Sequence, residues 1–294
     1  DTIAPRQTRI YRLDHGRRPT SVDTDLGSSG SGIRSATSSI VAGARGDTVL
    51  LRAGVPPESA ASDRPLPETR VPAKPVSLGV YEDTSDTWSH RLDSFQGREL
   101  GKFEITDSET EETGPIRATV RVSAAFGSSR LLLRCSLYRN SAYVDLDLTL
   151  VWTERRAIAK LLVPVDTNGS TPPTDAGDHR VDGLPEGHLE RPQDGKEYPF
   201  HEWTCAGSGL GVVSPDCFGF DGADGLLRFT LVRSPVYAWH DPTPLEDLES
   251  YHYTDQGTHR FRFRIVPGSS PKDLEAHAES MHRPPVVFDW TKGM

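Results

Sequence analysis

Four consecutive segments between Ile116 and Val165 constrain this chain more than anything else in it. In the first, Ile116, Ala118, Val120 and Val122 alternate with Arg117, Thr119 and Arg121, the period of two that sets one face of a strand against a core. Gly127-Ser128-Ser129 supplies a turn into RLLLRCSLYRN, and Asn140-Ser141 a second turn into AYVDLDLTLVW. There Val144, Leu146, Leu148 and Leu150 fall on one face, with Asp145, Asp147 and Thr149 on the other. A third turn at Glu154-Arg155-Arg156 leads into AIAKLLVPV. Strands joined this tightly pair antiparallel, as a meander. Strand signals return at GLGVVSP, LLRFTLVRSP and THRFRFRIVP, the last alternating Phe261, Phe263 and Ile265 with Arg260, Arg262 and Arg264. Only KDLEAHAESMH reads as helix. The expected fold is all-β, a large antiparallel β-sandwich with one short C-terminal helix.

The flanking regions are less regular. Residues 1–75 contain a Gly/Ser-rich stretch, DLGSSGSGIRSATSS, and a Pro-rich one, VPPESAASDRPLPETRVPAKP, both read as loop or linker. DTVLLRAGV lies between them, so this segment adds one or two strands to a sandwich spanning 76–294. Residues 166–199 form a long polar excursion, the kind of loop that in a compact domain is functional or mobile. The chain begins with Asp and not Met, as a processed or excised chain would.

A net charge of −9 argues against a nucleic-acid footprint or attraction to anionic membranes. No apolar run approaches the roughly 18 residues of a membrane span. Cys135, Cys205 and Cys217 are sparse and lack CxxC spacing. They do not read as a disulfide framework, although a Cys205–Cys217 bridge is conceivable, and they favour a reducing, cytoplasmic setting.

Candidate chemistry is scattered. The ten His residues include no HExxH and no pair at metal-ligand spacing on a helix, so no metal is expected in this chain. Ser208 lacks the preceding Gly and the strand–elbow–helix context of a hydrolase nucleophile. Carboxylates such as Glu82, Asp83, Asp86, Asp216 and Asp221 are numerous, but Asp commonly caps turns through its own backbone. More informative are two polar–aromatic clusters, Tyr81–His90 with Trp88 and His90, and Tyr237–Asp241 with Trp239, His240 and Asp241. Sugars are held by flat aromatic faces beside hydroxyl-binding groups. The alternative is that Trp88 and Trp239 pack in the core or against a partner domain.

The order of VYEDTSDTWSH, ETGPIRATVRV, AYVDLDLTLVWTERRAIAKLLVPV, YPFHEWTCAGSGLGVVSPDCFGFD, LLRFTLVRSPVYAWHDP and the tail DQGTHRFRFRIVPGSSPKDLEAHAESMHRPP resembles the C-terminal β-domain of glycoside hydrolase family 38, the α-mannosidases. The resemblance covers about residues 76–285 and implies a galactose-mutarotase-like supersandwich packed on a catalytic barrel. It implies a retaining α-mannosidase whose Asp nucleophile and zinc ligands sit in that barrel. None of those motifs is present, so no catalytic residue carries over and the isolated chain is expected to be inactive.

The implied partners are a mannoside and the barrel of the same protein, with room for a homo-oligomer. Trp88, His90, Trp239, His240 and Asp241 are the residues expected at the carbohydrate cleft or domain interface. A rival reading is a free-standing carbohydrate-binding or mutarotase-like protein with His201, Glu202 and His240 as acid/base groups. A third is a purely structural or adaptor domain.

Overall fold

The computed structural model describes residues 22–30, 32–42, 48–53, 75–90, 92–165, 179–184, 187–206, 210–237 and 251–283. In chain order the strands are β1 (Gly27–Ser29), β2 (Gly32–Arg34), β3 (Ser38–Ala42), β4 (Thr48–Ala53), β5 (Val76–Glu82), β6 (Glu99–Lys102) and β7 (Glu104–Thr113). They continue with β8 (Arg117–Phe126), β9 (Ser129–Tyr138), β10 (Val144–Trp152), β11 (Ala157–Pro164), β12 (His179–Leu184) and β13 (Gly187–Pro192). Then come β14 (Tyr198–Pro199), β15 (Trp203–Ala206), β16 (Gly211–Val213), β17 (Gly219–Ala223), β18 (Leu226–Arg233) and β19 (Gly257–Val266), followed by helix α1 (Pro271–His282).

The strands form two antiparallel sheets. One runs β1-β2-β3-β4-β5-β11-β18-β17-β14, with β6 added beside β5; the other runs β13-β12-β15-β16-β19-β10-β9-β8-β7. The expected meander β8-β9-β10 is present, and its turns carry the backbone they need. Gly127 and Asn140 have φ of 52° and 57°, the left-handed region open to Gly and tolerated by Asn. From β10 the chain crosses into the other sheet, so β11 pairs with β5 and β18 instead of β10.

Side-chain alternation becomes layering. Leu146 and Leu148 of β10, Leu133 of β9 and Phe263 of β19 point inward and join Leu78, Leu161 and Phe229 of the opposite sheet in one buried cluster. Phe229 and Phe263 meet edge to face at 5.4 Å across the layers. Trp152 Nε1 ties the sheets by donating to Ser234 Oγ at 3.1 Å. A smaller cluster lies on the outer side, where Leu274, Ala278 and Met281 of α1 pack on Trp203, Cys205, Val213 and Val266. The antiparallel all-β sandwich with one C-terminal helix is therefore the observed fold.

Besides the fourth strand of the expected meander, which pairs in the other sheet, further readings of the sequence need correction. The Gly/Ser-rich stretch expected as loop contributes β1, β2 and β3, so with β4 four strands come from residues 27–53. Within the polar excursion 166–199, residues 179–184 and 187–192 form the paired strands β12 and β13, which join the second sheet through β15. Strand β7, EITDSETEET, gave no signal because neither face is apolar. It is an edge strand, and its charges and two register shifts discourage pairing with another chain. Backbone pairing carries the acidic β7, whereas β2 and β3 also bury Ile33, Ile40 and Ala42 in the inter-sheet core, an apolar face too short to show as a period in the sequence. The conceivable Cys205–Cys217 bridge is absent: both thiols are free, Cys205 in the helix-facing cluster and Cys217 in the inter-sheet core.

The layering predicts a contrast between neighbours in β10. Leu148→Ala should lower unfolding free energy by about 2–5 kcal/mol. Thr149→Ala, on the opposite face, should change it by about 0.5 kcal/mol or less. Urea titration followed by tryptophan fluorescence reads both.

Candidate functional site

One end of the sandwich is built around Arg233, the last residue of β18. Its Nε donates to Asp83 Oδ2 at 2.7 Å, and its Nη2 donates to Ser85 Oγ at 2.5 Å and to the Asp86 carbonyl at 3.0 Å. The guanidinium lies 4.2 Å from the Phe95 ring centroid. Asp83 Oδ1 accepts from the Ser85 amide and hydroxyl at 3.0 and 2.6 Å, and Asp86 Oδ1 from the amides of Trp88 and Ser89 at 2.8 and 3.1 Å. Both acids are buried. They hold turns by accepting backbone N–H groups, and Ser89 completes the bend at φ 51°.

The clamp dictates what the rim presents. Asp86 bridges to Val236, and the Thr87 amide donates to the Val236 carbonyl at 3.2 Å. This sets Trp88 and Tyr237 on the same end of the molecule, 64% and 65% exposed. His90 is also exposed, its ring 6.4 Å from that of Trp88 and inclined by 55°. Trp88 therefore does not pack in the core, which decides that half of the alternative read from sequence. Trp239, His240 and Asp241 lie outside the described residues. His201 is exposed and Glu202 half-buried at the entry to β15, on the other sheet, where Glu202 is 3.9 Å from His282. The structure does not bring His201 and Glu202 to the Trp88 rim.

A second cluster escaped the sequence reading. On the face of the first sheet turned away from the core, Lys160 of β11 donates to Glu197 Oε2 and Asp221 Oδ2, each at 2.6 Å. Arg228 of β18 pairs with Asp221 Oδ1, and Thr230 Oγ1 donates to Glu197 Oε1 at 2.5 Å. Lys160 and Asp221 are fully buried. Two cations and two carboxylates balance, and all four carboxylate oxygens are engaged. This set holds structure and leaves neither carboxylate free to act as a base. Tyr81 lies beside it, its phenol held above the ordinary value by burial first and by the Glu99 carboxylate next. The signal available in the sequence was three charges flanked by apolar residues inside strands, Lys160 in AIAKLLVP, Asp221 in GFDGA and Arg228 in LLRFTLV. Among the described residues no three His, Cys, Asp or Glu side chains gather as metal ligands.

The family profile described as the glycosyl hydrolases family 38 C-terminal domain matches residues 62–243, more than half of the chain. The chain belongs to this family. Among solved structures, the family 38 domain is similar to an alpha-mannosidase from Enterococcus faecalis, at TM-score 0.57 and 11% identity over 89% of this chain and 32% of that one. It is also similar to a glycosyl hydrolase family 38 protein from Enterococcus faecalis, at TM-score 0.59 and 10% identity over 90% of this chain and 33% of that one. At such identities the likeness is one of fold. The family 38 domain spans about a third of the length of these two structures. No curated protein matches it significantly by sequence.

Breaking the balanced set should be costly. Lys160→Met leaves Glu197 without its cation and Asp221 with Arg228 alone, and should lower stability by about 3–5 kcal/mol. Lys160→Met combined with Glu197→Gln, which removes one charge of each sign and keeps the Asp221–Arg228 pair, should recover part of that loss in the same denaturant titration.

Proposed function

We propose that this family 38 domain is the β-sandwich portion of an α-mannosidase-like glycoside hydrolase. In this reading it packs against a separate zinc-dependent catalytic barrel and forms part of one wall of the mannoside cleft. The observation that carries the reading is the clamped rim. An exposed tryptophan is held by two buried aspartates and an arginine, with an exposed tyrosine on the same end. Large aromatic surface on a rigid support is what an interface or a sugar platform needs. The partial coverage of the mannosidase structures supports a division of labour between this domain and another part of such an enzyme. Zinc and its chemistry belong in this proposal to the barrel, and this chain's contribution is shape and support.

A free-standing mutarotase-like activity has weaker support. It needs a convergent acid and base, and the structure pairs Glu202 with His282 of α1 instead of with a second rim group. A purely structural role is the outcome if the rim binds neither sugar nor a partner domain.

The test is hydrolysis of an aryl α-mannoside by the purified chain, with and without added zinc. No turnover is expected, and turnover would overturn the assignment of catalysis to another domain. In a protein carrying barrel and sandwich together, Trp88→Ala should leave stability within about 0.5 kcal/mol. It should lower mannosidase activity or loosen the association of the two parts. If it changes neither, Trp88 is not the contact proposed here.

A further inference from the structure

Helix α1 is seated on the second sheet by an apolar stripe, and a single hydrogen-bonded group controls its polar flank. The Arg264 guanidinium of β19 is fixed from one side by Asp145 of β10, which accepts from Nε at 2.6 Å and from Nη2 at 2.9 Å. It lies 4.0 Å from the centroid of the Tyr143 ring. Its remaining nitrogen, Nη1, faces α1, 3.1 Å from Ser280 Oγ and 3.3 Å from His277 Nδ1. A guanidinium has donors only. Nδ1 must therefore be the acceptor, so the ring is neutral and carries its proton on Nε2.

We propose that Arg264 and His277 form a proton-sensitive latch, in which neutral His277 seats α1 on the sheet and protonation of His277 releases it.

The surroundings of the imidazole support the sense of the switch. From β19 it faces Arg264, and from the approach to β10 it meets Tyr143 edge-on at 5.3 Å. Tyr138, at the end of β9, stands behind Tyr143 at 5.6 Å. Asp145 of β10 and Asp273 of α1 are the nearby acids. Strands β15 and β16 present Trp203, Cys205 and Val213, which carry no formal charge at neutral pH. A proton on Nδ1 would remove the acceptor and set a second cation against Arg264, while both Asp145 oxygens are already engaged. Burial first, and the Arg264 charge next, hold the His277 pKa below its ordinary 6.5, with Asp145 and Asp273 opposing. The docked helix thus binds protons less readily than the released one. Its seat is complete above about pH 6.5 and weakens as pH falls below that value. At the end of the helix His282 lies 3.9 Å from Glu202, at the entry to β15.

Hydrogen–deuterium exchange of the full chain, corrected for the intrinsic pH dependence of exchange, tests the latch. Between about pH 8 and about pH 5, protection of the α1 amides should fall about fivefold or more relative to β10. His277→Gln keeps a neutral acceptor and should hold equal protection at both values. A wild-type helix whose protection does not fall would overturn the proposal, as would an equal fall in the Gln variant. Should the Gln helix be unprotected throughout, an NMR titration of the His277 ring in the unaltered chain decides. A midpoint below 6.5 coinciding with loss of helix protection supports the latch, and any other midpoint overturns it.

Discussion

Strand β11 is covered on both faces, and the ionic contact of Lys160 with Glu197 and Asp221 is what makes the outer covering possible. Its inward residues Ala159, Leu161 and Val163 belong to the inter-sheet core. Its outward residues Ile158, Lys160 and Leu162 are equally buried. They lie on the face spanned by the chain segments around Gln96 and Glu197. Gln96 Nε2 donates to the Gly195 carbonyl at 2.6 Å, and the Glu197 amide donates to the Asp93 carbonyl at 2.8 Å. A charge removed from water this completely is tolerated only when it is neutralised and fully hydrogen-bonded. The lysine therefore recruits a carboxylate from β17, across the intervening β18, and another from the covering segment, binding strands β11, β17 and β18 to their cover.

From that centre β5 and β18 run toward one rim, ending at Asp83 and Arg233. The two ends are welded by the ion pair between those residues, so the turn carrying Trp88 inherits the rigidity of the sheet beneath it. A backbone turn already fixed loses little conformational freedom on contact, so that only the exposed side chains would remain to be ordered. The rim is in this sense an extension of the packed interior, even though its aromatic tips stand in solvent.

The parts of the fold legible in the sequence were those in which one face of a strand is apolar. Alternation in Val144–Leu150 and in Phe261–Ile265 identified β10 and β19 because burial there acts on every second residue. Where the apolar face is only one or two residues long, as with Ile33 in β2 and Ile40 and Ala42 in β3, or is missing, as in the acidic β7, alternation is too short to show and the strands are not legible in the sequence. Strand β11 posed the reverse difficulty, since burial on both faces hides a charged pairing inside an apolar run. The local cluster Tyr81–His90 was legible as a polar–aromatic turn, because the turn acids and the exposed Trp88 are adjacent in the chain. The Asp83–Arg233 clamp was not legible, since its partners are 150 residues apart and only the pairing of β5 and β18 with β11 brings them near each other.

The cysteines bear on a question that their number alone left open. Cys135 and Cys217 lie in the inter-sheet core, and Cys205 lies beneath α1. Burial pushes the Cys217 thiol up to about 12 and raises the other two as well. Such thiols hold little of the thiolate that oxidation requires. With Cys205 and Cys217 on opposite sides of a sheet, no bridge can close between them without dismantling it. The domain is consequently indifferent to the redox poise of its surroundings: an oxidising lumen and a reducing cytosol would leave the same three thiols intact. Its cysteine content therefore carries no address for the protein.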